Sequence, residues 1–360
     1  MATAFDATAA GSAPAADAIA RGYRRLLRRR MAILAGTALA LLLSIVVDVS
    51  VGSSDFSLME IVRAIVAPAS VDTETALIVR ELRLPYALLA VLVGMALSLA
   101  GAEMQTILDN PLASPFTLGV SSAASLGAAL VFVLGIGLPG VPGDWVVSAN
   151  TFVFAFASVL LLHAVAKARP SGRQVLVLFG IAMVFTFNAL VALLQYVASP
   201  EALQQLVFWS MGSLSRASWP KLQVLAVVIA CVLPFSLRAA WGLNVLRLGE
   251  ERALSFGVDV GRLRLAALLR ISLLAATAVA FTGTIGFVGL VGPHVARMLI
   301  GEDHRFFLPG SVLVGGLVMS LASIASKTLV PGTLLPVGIV TALVGVPVFL
   351  WLILRRKERA

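Results

Sequence analysis

Apolar runs of about twenty residues, separated by short polar breaks, recur along most of this 360-residue chain. A helix of about twenty apolar residues spans the roughly 30 Å hydrocarbon core of a bilayer. Soluble domains carry about 25% charged residues, whereas this chain carries 12% and has a mean hydropathy of +1.00. The runs are too long for the alternating strands of a transmembrane barrel. The sequence therefore predicts an all-α integral membrane protein.

Breaks in hydropathy divide the chain into ten candidate transmembrane helices. They cover approximately residues 31–50, 85–107, 117–137, 146–166, 174–198, 220–237, 265–283, 286–300, 308–329 and 335–354. We expect residues 1–30 to form a disordered cytoplasmic tail and residues 31–356 to form one transmembrane domain. A signal peptide is the alternative for the first run, but no small-x-small cleavage site directly follows it.

The distribution of positive charge tests both the number of spans and their orientation. With ten spans and a cytoplasmic N-terminus, twenty Lys and Arg residues fall in cytoplasmic segments and six fall outside. Cytoplasmic loops of membrane proteins carry such an excess. We therefore expect a multi-pass protein of the inner membrane with both termini in the cytoplasm. The net charge of +9 is explained by this topology and does not indicate nucleic-acid binding.

Two spans are interrupted by glycine and proline. Gly286–Ile300 is short and contains Pro293, and the junction Leu329–Pro336 is similarly broken. Interrupted helices are common along transport pathways. A simple tight turn between two spans is the alternative for each segment. Spans two to five run opposite to spans seven to ten, which allows an inverted repeat.

The segment Arg247–Arg264 is a polar, helix-forming insert, and we define residues 244–264 as a candidate coupling loop. Gly257 separates two short helical stretches, so the loop offers a docking surface for a soluble partner. A solvated interfacial loop is the alternative. The chain contains no phosphate-binding loop of the GxxxxGK[ST] type, and no nucleophile–base pair. We therefore predict a non-enzymatic subunit that needs no cofactor or metal and receives energy from another chain.

Two further groups of residues stand out. The loop Asp109–Gly119 is predicted to be cytoplasmic yet lacks Lys and Arg, which suggests a constriction at the inner mouth of a pathway; a compact turn is the alternative. Arg80, Arg83 and Lys327 are predicted to lie outside, against the charge rule. They are candidates for binding an acidic partner, or are simply solvated charges.

Eight motifs, found in order between about Met31 and Arg356, resemble those of the FecCD-type (type II) ABC importer permeases for iron–siderophore, haem and corrinoid complexes. The motifs are RLP at Arg83–Pro85, AGAEMQ ending at Gln105, NPLA at Asn110–Ala113, LGVSS at Leu118–Ser122, LGEERALSFGV at Leu248–Val258, GTIGFVGLVGPHVAR at Gly283–Arg297, DHR at Asp303–Arg305, and LPVGIVTALVGVPVFLWLI at Leu335–Ile353.

The resemblance implies ten helices per subunit and a second permease copy or sister permease beside it in the lipid, with the pathway between them. It also implies cytosolic ABC ATPase subunits bound to the coupling loop. The coupling residues would be Leu248, Gly249, Glu250, Glu251, Ala253, Gly257 and Val258, and the cytoplasmic gate would use Asn110, Leu112, Ser171 and Gly172.

A periplasmic or lipid-anchored substrate-binding protein is also implied, with acidic residues facing Arg83 and Lys327. The family often has a second arginine directly after RLP. Tyr86 occupies that position here, so Arg80 is the candidate substitute.

The NPLASPFTLG variant and Glu103 resemble the ferric-siderophore branch, so we expect an ATP-driven importer of a ferric-siderophore-type chelate. A haem or corrinoid importer is the nearest alternative. An ion-coupled secondary transporter also uses inverted repeats and broken helices, but the spans contain no dense set of carboxylates for a proton or sodium relay.

Overall fold

The computed structural model describes residues 12–52, 56–168, 173–330 and 332–355, and within these ranges the chain forms helices and no strands. The helices are α1 (Ser12–Ser50), α2 (Leu58–Val66), α3 (Thr73–Leu77), α4 (Leu84–Ile107), α5 (Val120–Leu134), α6 (Gly143–Ala168), α7 (Arg173–Val197), α8 (Pro200–Ser210), α9 (Trp219–Leu246), α10 (Glu250–Ser255), α11 (Val260–Thr282), α12 (Val288–Ile300), α13 (His304–Thr328) and α14 (Val337–Arg355).

The predicted all-helical membrane fold is confirmed. Within the described ranges, seven helices are long and apolar enough to cross a membrane. Shorter apolar helices, α5, α12 and α14, occupy the remaining three predicted spans.

The structure differs from the sequence-based expectation at the N-terminus and in the connections. Residues 12–30, expected to be disordered, continue α1 toward the N-terminus. Arg30 holds this extension to the bundle, because its Nη1 lies 3.2 Å from Asp303 Oδ2. Helices α2 and α8 were not predicted. Both are short, and a serine caps each one by accepting a hydrogen bond from the first turn.

Helix α4 lies at the centre of the bundle. Most of its residues are buried, and it packs closely against α12 and α13 through pairs of glycines. A Cβ atom on Gly94 would come within 2.2 Å of the carbonyl oxygen of Gly315, and one on Gly101 within 1.9 Å of that of Gly289. Glycine pairs of this kind let membrane helices approach backbone to backbone.

Helix packing repeats between the two halves of the chain. Helix α4 packs against α12 and α13, and α11 correspondingly packs against α5 and α6. The hairpins α5–α6 and α12–α13 also correspond. These exchanged contacts agree with an inverted repeat in which α4–α7 and α11–α14 are equivalent.

Two short helices begin inside the bundle rather than at its end. Helix α5 has 15 residues and α12 has 13; at 1.5 Å per residue neither covers a roughly 30 Å hydrocarbon core. Their N-caps, Gly119 and Phe287, have positive φ angles of 87° and 65°. Pro115 and Phe116, which precede α5, line a small cavity together with Phe287. The breaks in the two halves therefore meet.

Candidate functional site

Helix α10 forms a raised surface between α9 and α11, as the helix–glycine–helix pattern predicted. Gly249 and Gly257, with φ angles of 110° and 78°, turn the chain on either side of it. Asp259 caps α11 by accepting a hydrogen bond from the backbone N–H of Arg262 at 2.9 Å. Ala253 and Val258 are buried and anchor the loop to the bundle.

The outer face of this loop is both apolar and charged. Leu248, Leu254 and Phe256 are all more than half exposed, and Glu251 and Arg252 are exposed beside them. Exposed apolar side chains with a charged rim mark interaction sites. We call this set of five residues the α10 surface.

The two predicted coupling glutamates have different environments. Glu250 pairs with Arg264 of α11, with Oε2 and Nη2 2.7 Å apart. Glu251 is exposed. Glu250 therefore fixes α10 to α11, and Glu251 is the glutamate available to a partner.

Below the α10 surface, a hydrogen-bond network joins α9, α13 and α4. The side-chain oxygen of Asn244 accepts hydrogen bonds from the backbone N–H of His304 at 2.9 Å and from its Nδ1 at 2.7 Å. His304 Nε2 lies 2.8 Å from the hydroxyl of Thr106. Because an amide oxygen can only accept, the Nδ1 of His304 carries a proton. The hydroxyl of Thr106, which faces Nε2, also donates to the carbonyl of Ala102 at 2.9 Å.

Asp303 holds this network in place next to α1. Its carboxylate accepts hydrogen bonds from Asn244 at 3.1 Å and from Arg30 and Arg305. The hydrogen bond from Arg305 is the main reason that the pKa of Asp303 lies well below its usual range. Arg247, directly after α9, pairs with Glu302. The end of the bundle beneath α10 is therefore cross-linked by ion pairs.

A buried ion pair lies next to this network. Glu103 of α4 is fully buried and pairs with Arg270 of α11, their closest atoms 2.6 Å apart. Gln105 on the same helix accepts a hydrogen bond from Arg297 of α12 at 3.0 Å. Glu103 and Arg270 lie 167 residues apart in the sequence, and no local pattern in the letters pairs them.

The predicted gate loop, residues 109–119, forms a compact turn. Asp109 has a φ of 48°, and the side chain of Asn110 accepts a hydrogen bond from the backbone N–H of Leu112 at 2.9 Å. Leu112 and Phe116 project from the turn, each about half exposed. The other two predicted gate residues, Ser171 and Gly172, lie outside the described residues.

At the opposite end of the bundle, two of the three predicted docking cations are held inside the protein. Lys327 Nζ lies 2.7 Å from Asp48 Oδ1, and both side chains are buried. Arg83 is 7% exposed and donates to the backbone oxygen of Ser50 at 3.0 Å. Arg80 alone of the three is exposed.

Arg83 and Lys327 therefore have internal partners, and their role in docking stays a prediction. Both residues line the wall of a cleft of about 340 Å³ together with Tyr86. Their charged ends, however, bind the C-terminal turn of α1. Desolvated cations need such internal acceptors, and the sequence did not reveal that Asp48 and the backbone of α1 would supply them.

Comparisons with known proteins agree with this architecture. A family model described as the FecCD transport family matches residues 36–355. The chain is 40% identical to the hemin transport system permease protein HmuU of Yersinia pestis, covering 78% of this chain and 84% of that protein. It is 34% identical to the molybdate import system permease protein MolB of Haemophilus influenzae, covering 91% and 96%.

A solved structure gives the same result at the level of the fold. It is an inward-facing conformation of a transporter assigned to the metal-chelate type of ABC transporters. The TM-score is 0.79 at 32% identity, covering 90% of this chain and 99% of that chain.

The helical bundle and these matches together define a multi-pass membrane permease of an ABC importer. The chain belongs to the FecCD transport family.

Proposed function

We propose that this permease moves a ferric-siderophore-type iron chelate into the cytoplasm, driven by ATPase subunits that bind the α10 surface from the cytosol. The observation that carries the proposal is the α10 surface itself: exposed leucines and a phenylalanine beside Glu251, on a loop anchored by buried residues. A loop that must transmit force needs an exposed contact and a fixed base, and α10 has both.

The network below α10 supplies a route from the ATPase to the pathway. A displacement of α10 would act on Arg264 through Glu250 and on the end of α9. From α9, Asn244 leads through His304 to Thr106 at the end of α4. The gate loop 109–119 comes shortly after Thr106 in the chain, so we assign Asn110 and Leu112 to the cytoplasmic gate.

At the other end we propose that a periplasmic or lipid-anchored binding protein contacts exposed Arg80. Arg83 and Lys327 contribute mainly by holding α1 against α4 and α13 beside the cleft. A second permease copy or a sister permease would cover α7 and α14. Large apolar side chains of these helices are exposed, among them Phe185, Leu193, Leu343 and Val344.

A ferric-siderophore-type chelate is favoured as the substrate because a relative in Helicobacter pylori is named for iron chelatin transport, and because this chain has the NPLASPFTLG loop and Glu103. A haem or corrinoid complex is the alternative. Intramembrane ionisable residues are candidates for ion coupling, but Glu103 and Asp48 are each paired with a cation. This pairing disfavours a secondary transporter.

The test is uptake of ferric chelates by the complete importer in proteoliposomes, together with co-purification of the ATPase. Glu251→Lys should lower ATPase binding about tenfold or more, because it reverses a charge at the contact, and uptake should fall with it. Glu74→Lys, a charge reversal at an exposed site on α3, is the matched control. Normal assembly and uptake with Glu251→Lys would exclude the α10 surface as the ATPase contact.

The same vesicles separate the two transport classes. An ABC importer should take up the chelate only when ATP is supplied, and uptake should persist when a protonophore collapses the proton gradient. Uptake that needs the gradient and not ATP would establish the secondary transporter instead.

A further inference from the structure

The loop 211–218, which joins α8 to α9, lies where several interruptions of the helices meet. The backbone N–H of Ser213 donates to the carbonyl of Thr282, at the end of α11, at 2.7 Å. The backbone N–H of Gly338, at the start of α14, donates to the carbonyl of Gly212 at 3.1 Å. The loop is therefore fixed to the α11–α12 break and to the turn before α14.

Arg216 of this loop is half-buried beside the α11–α12 break. Gly283 lies beside its guanidinium: a Cβ atom there would be in van der Waals contact with Arg216 Nη2 at 3.5 Å, and would lie 2.1 Å from the carbonyl oxygen of Trp209. Gly283 also has a φ of 77°, which disfavours any larger residue. The guanidinium thus lies against the backbone of the interruption.

Arg216 differs from the other cations of the interior in having no partner within the described part of the chain. Arg270 and Lys327 each pair with a carboxylate. In the described ranges no acceptor binds the guanidinium of Arg216 and no carboxylate pairs with it. Burial lowers the pKa of Arg216, although a guanidinium remains protonated at neutral pH.

A second cation lies close to the first. Lys221 Nζ donates to the backbone oxygen of Arg216 at 3.1 Å. The two positive charges repel each other, and Asp144 at the start of α6 offsets this repulsion only for Lys221. Holding two partly desolvated cations together costs free energy, and an anion bound between them would remove that cost.

We propose that Arg216, assisted by Lys221 and the exposed hydroxyl of Ser215, binds an anionic group of the transported compound as it enters the pathway. The group is a carboxylate, a catecholate or another oxyanion. This inference rests on the proposed transport function and names the chemistry of its substrate: the chelate is negatively charged.

The anion could come from the substrate, from a lipid or from the binding protein. The position of the Arg216 guanidinium favours the substrate. A lipid phosphate or an acidic residue of a binding protein would meet exposed cations such as Arg63 and Arg80 first. Arg216 instead lies at the break between α11 and α12, and broken helices of transporters border the substrate site.

The first experiment compares uptake of two probes by the complete importer in proteoliposomes. The probes are a ferric tris-catecholate, which is an anion, and a ferric tris-hydroxamate, which is uncharged. Arg216→Gln should reduce uptake of the anionic probe about tenfold, the loss expected for one charge-assisted hydrogen bond. Arg216→Lys should restore part of it, and the control Arg63→Gln should change neither probe.

The second experiment measures the potential at the site without any chelate. Ser215→Cys is introduced together with Cys231→Ser, which removes the chain's single native cysteine. The introduced thiol should react several-fold faster with an anionic thiosulfonate than with a cationic one of similar size. Adding Arg216→Gln should abolish that preference.

Three results would overturn the anion site. They are equal loss of both probes in Arg216→Gln, weaker binding of the binding protein as its main effect, and an effect that vanishes when anionic lipid is left out of the vesicles. If the wild type takes up neither probe with ATP, the proposed function fails, and the thiol reactivity still decides whether the anion site exists.

Discussion

Two buried ion pairs, Glu103–Arg270 and Asp48–Lys327, place charge inside an otherwise apolar bundle. Transferring an ion out of water costs several kcal/mol, and its partner returns much of this cost only when the geometry is close. The two pairs are at opposite ends of α4 and α13, and each joins helices far apart in the sequence. They therefore fix the positions of helices rather than adding much net stability.

Removing one member of the Asp48–Lys327 pair should lower the free energy of unfolding more than removing both. Lys327→Met leaves the carboxylate of Asp48 buried and uncompensated, so the free energy of unfolding in detergent should fall by about 3–5 kcal/mol. Adding Asp48→Asn should recover most of that loss. A double variant as unstable as the single one would mean that Lys327 stabilises the protein through packing on Tyr86 instead.

At the scale of helices, the ten spans could be predicted because each is an apolar run, long in seven cases and shorter in α5, α12 and α14, and hydropathy reports such runs directly. The short helices that connect the spans could not be predicted in the same way. Helix α8 is short and largely exposed, and its only local signal is Ser199–Pro200. The pairing of Glu103 with Arg270, 167 residues away, depends on packing that no local pattern records. The internal partners of Arg83 and Lys327 likewise depend on packing between distant segments.

The close approach of α4 to α12 depends on the absence of side chains. Gly101→Ala would place a Cβ atom 1.9 Å from the backbone oxygen of Gly289, so the helices must separate. The expected loss is about 1–3 kcal/mol of unfolding free energy, measured as a lower thermal midpoint in detergent. Gly36→Ala in α1 meets nothing within 4 Å and should be neutral or slightly stabilising. Equal midpoints for the two variants would show that α4 and α12 are not tightly packed.

The contact between α9, α13 and α4 through Asn244 should matter for coupling rather than assembly. Asn244→Leu removes the acceptor of two hydrogen bonds to His304, while the α10 surface remains intact. We expect normal ATPase binding and at least a several-fold drop in chelate imported per ATP hydrolysed. Gln204→Leu, on an exposed face of α8, is the matched control. Unchanged coupling with Asn244→Leu would show that force from α10 follows another route.

For the whole molecule, the orientation in the membrane decides which end binds the ATPase. Twenty of the Lys and Arg residues fall on the side of α10 and six on the other, and the positive-inside rule then predicts that α10 is cytoplasmic. The exposed hydroxyls of Ser255 in α10 and Ser70 near α2 lie on opposite sides of this division. Each can be replaced by cysteine on the Cys231→Ser background.

A membrane-impermeant maleimide should label Ser70→Cys in intact spheroplasts and label Ser255→Cys only after lysis. The reason is the charge asymmetry: inverting the molecule would place twenty positive charges outside, against the bias that sets orientation during insertion. The opposite labelling pattern would put α10 out of reach of any cytosolic ATPase and would overturn the proposed drive mechanism. Labelling of both sites before lysis would indicate either an even number of spans between residues 70 and 255 or a leaky preparation. A cytosolic marker protein, labelled only in leaky spheroplasts, distinguishes the two.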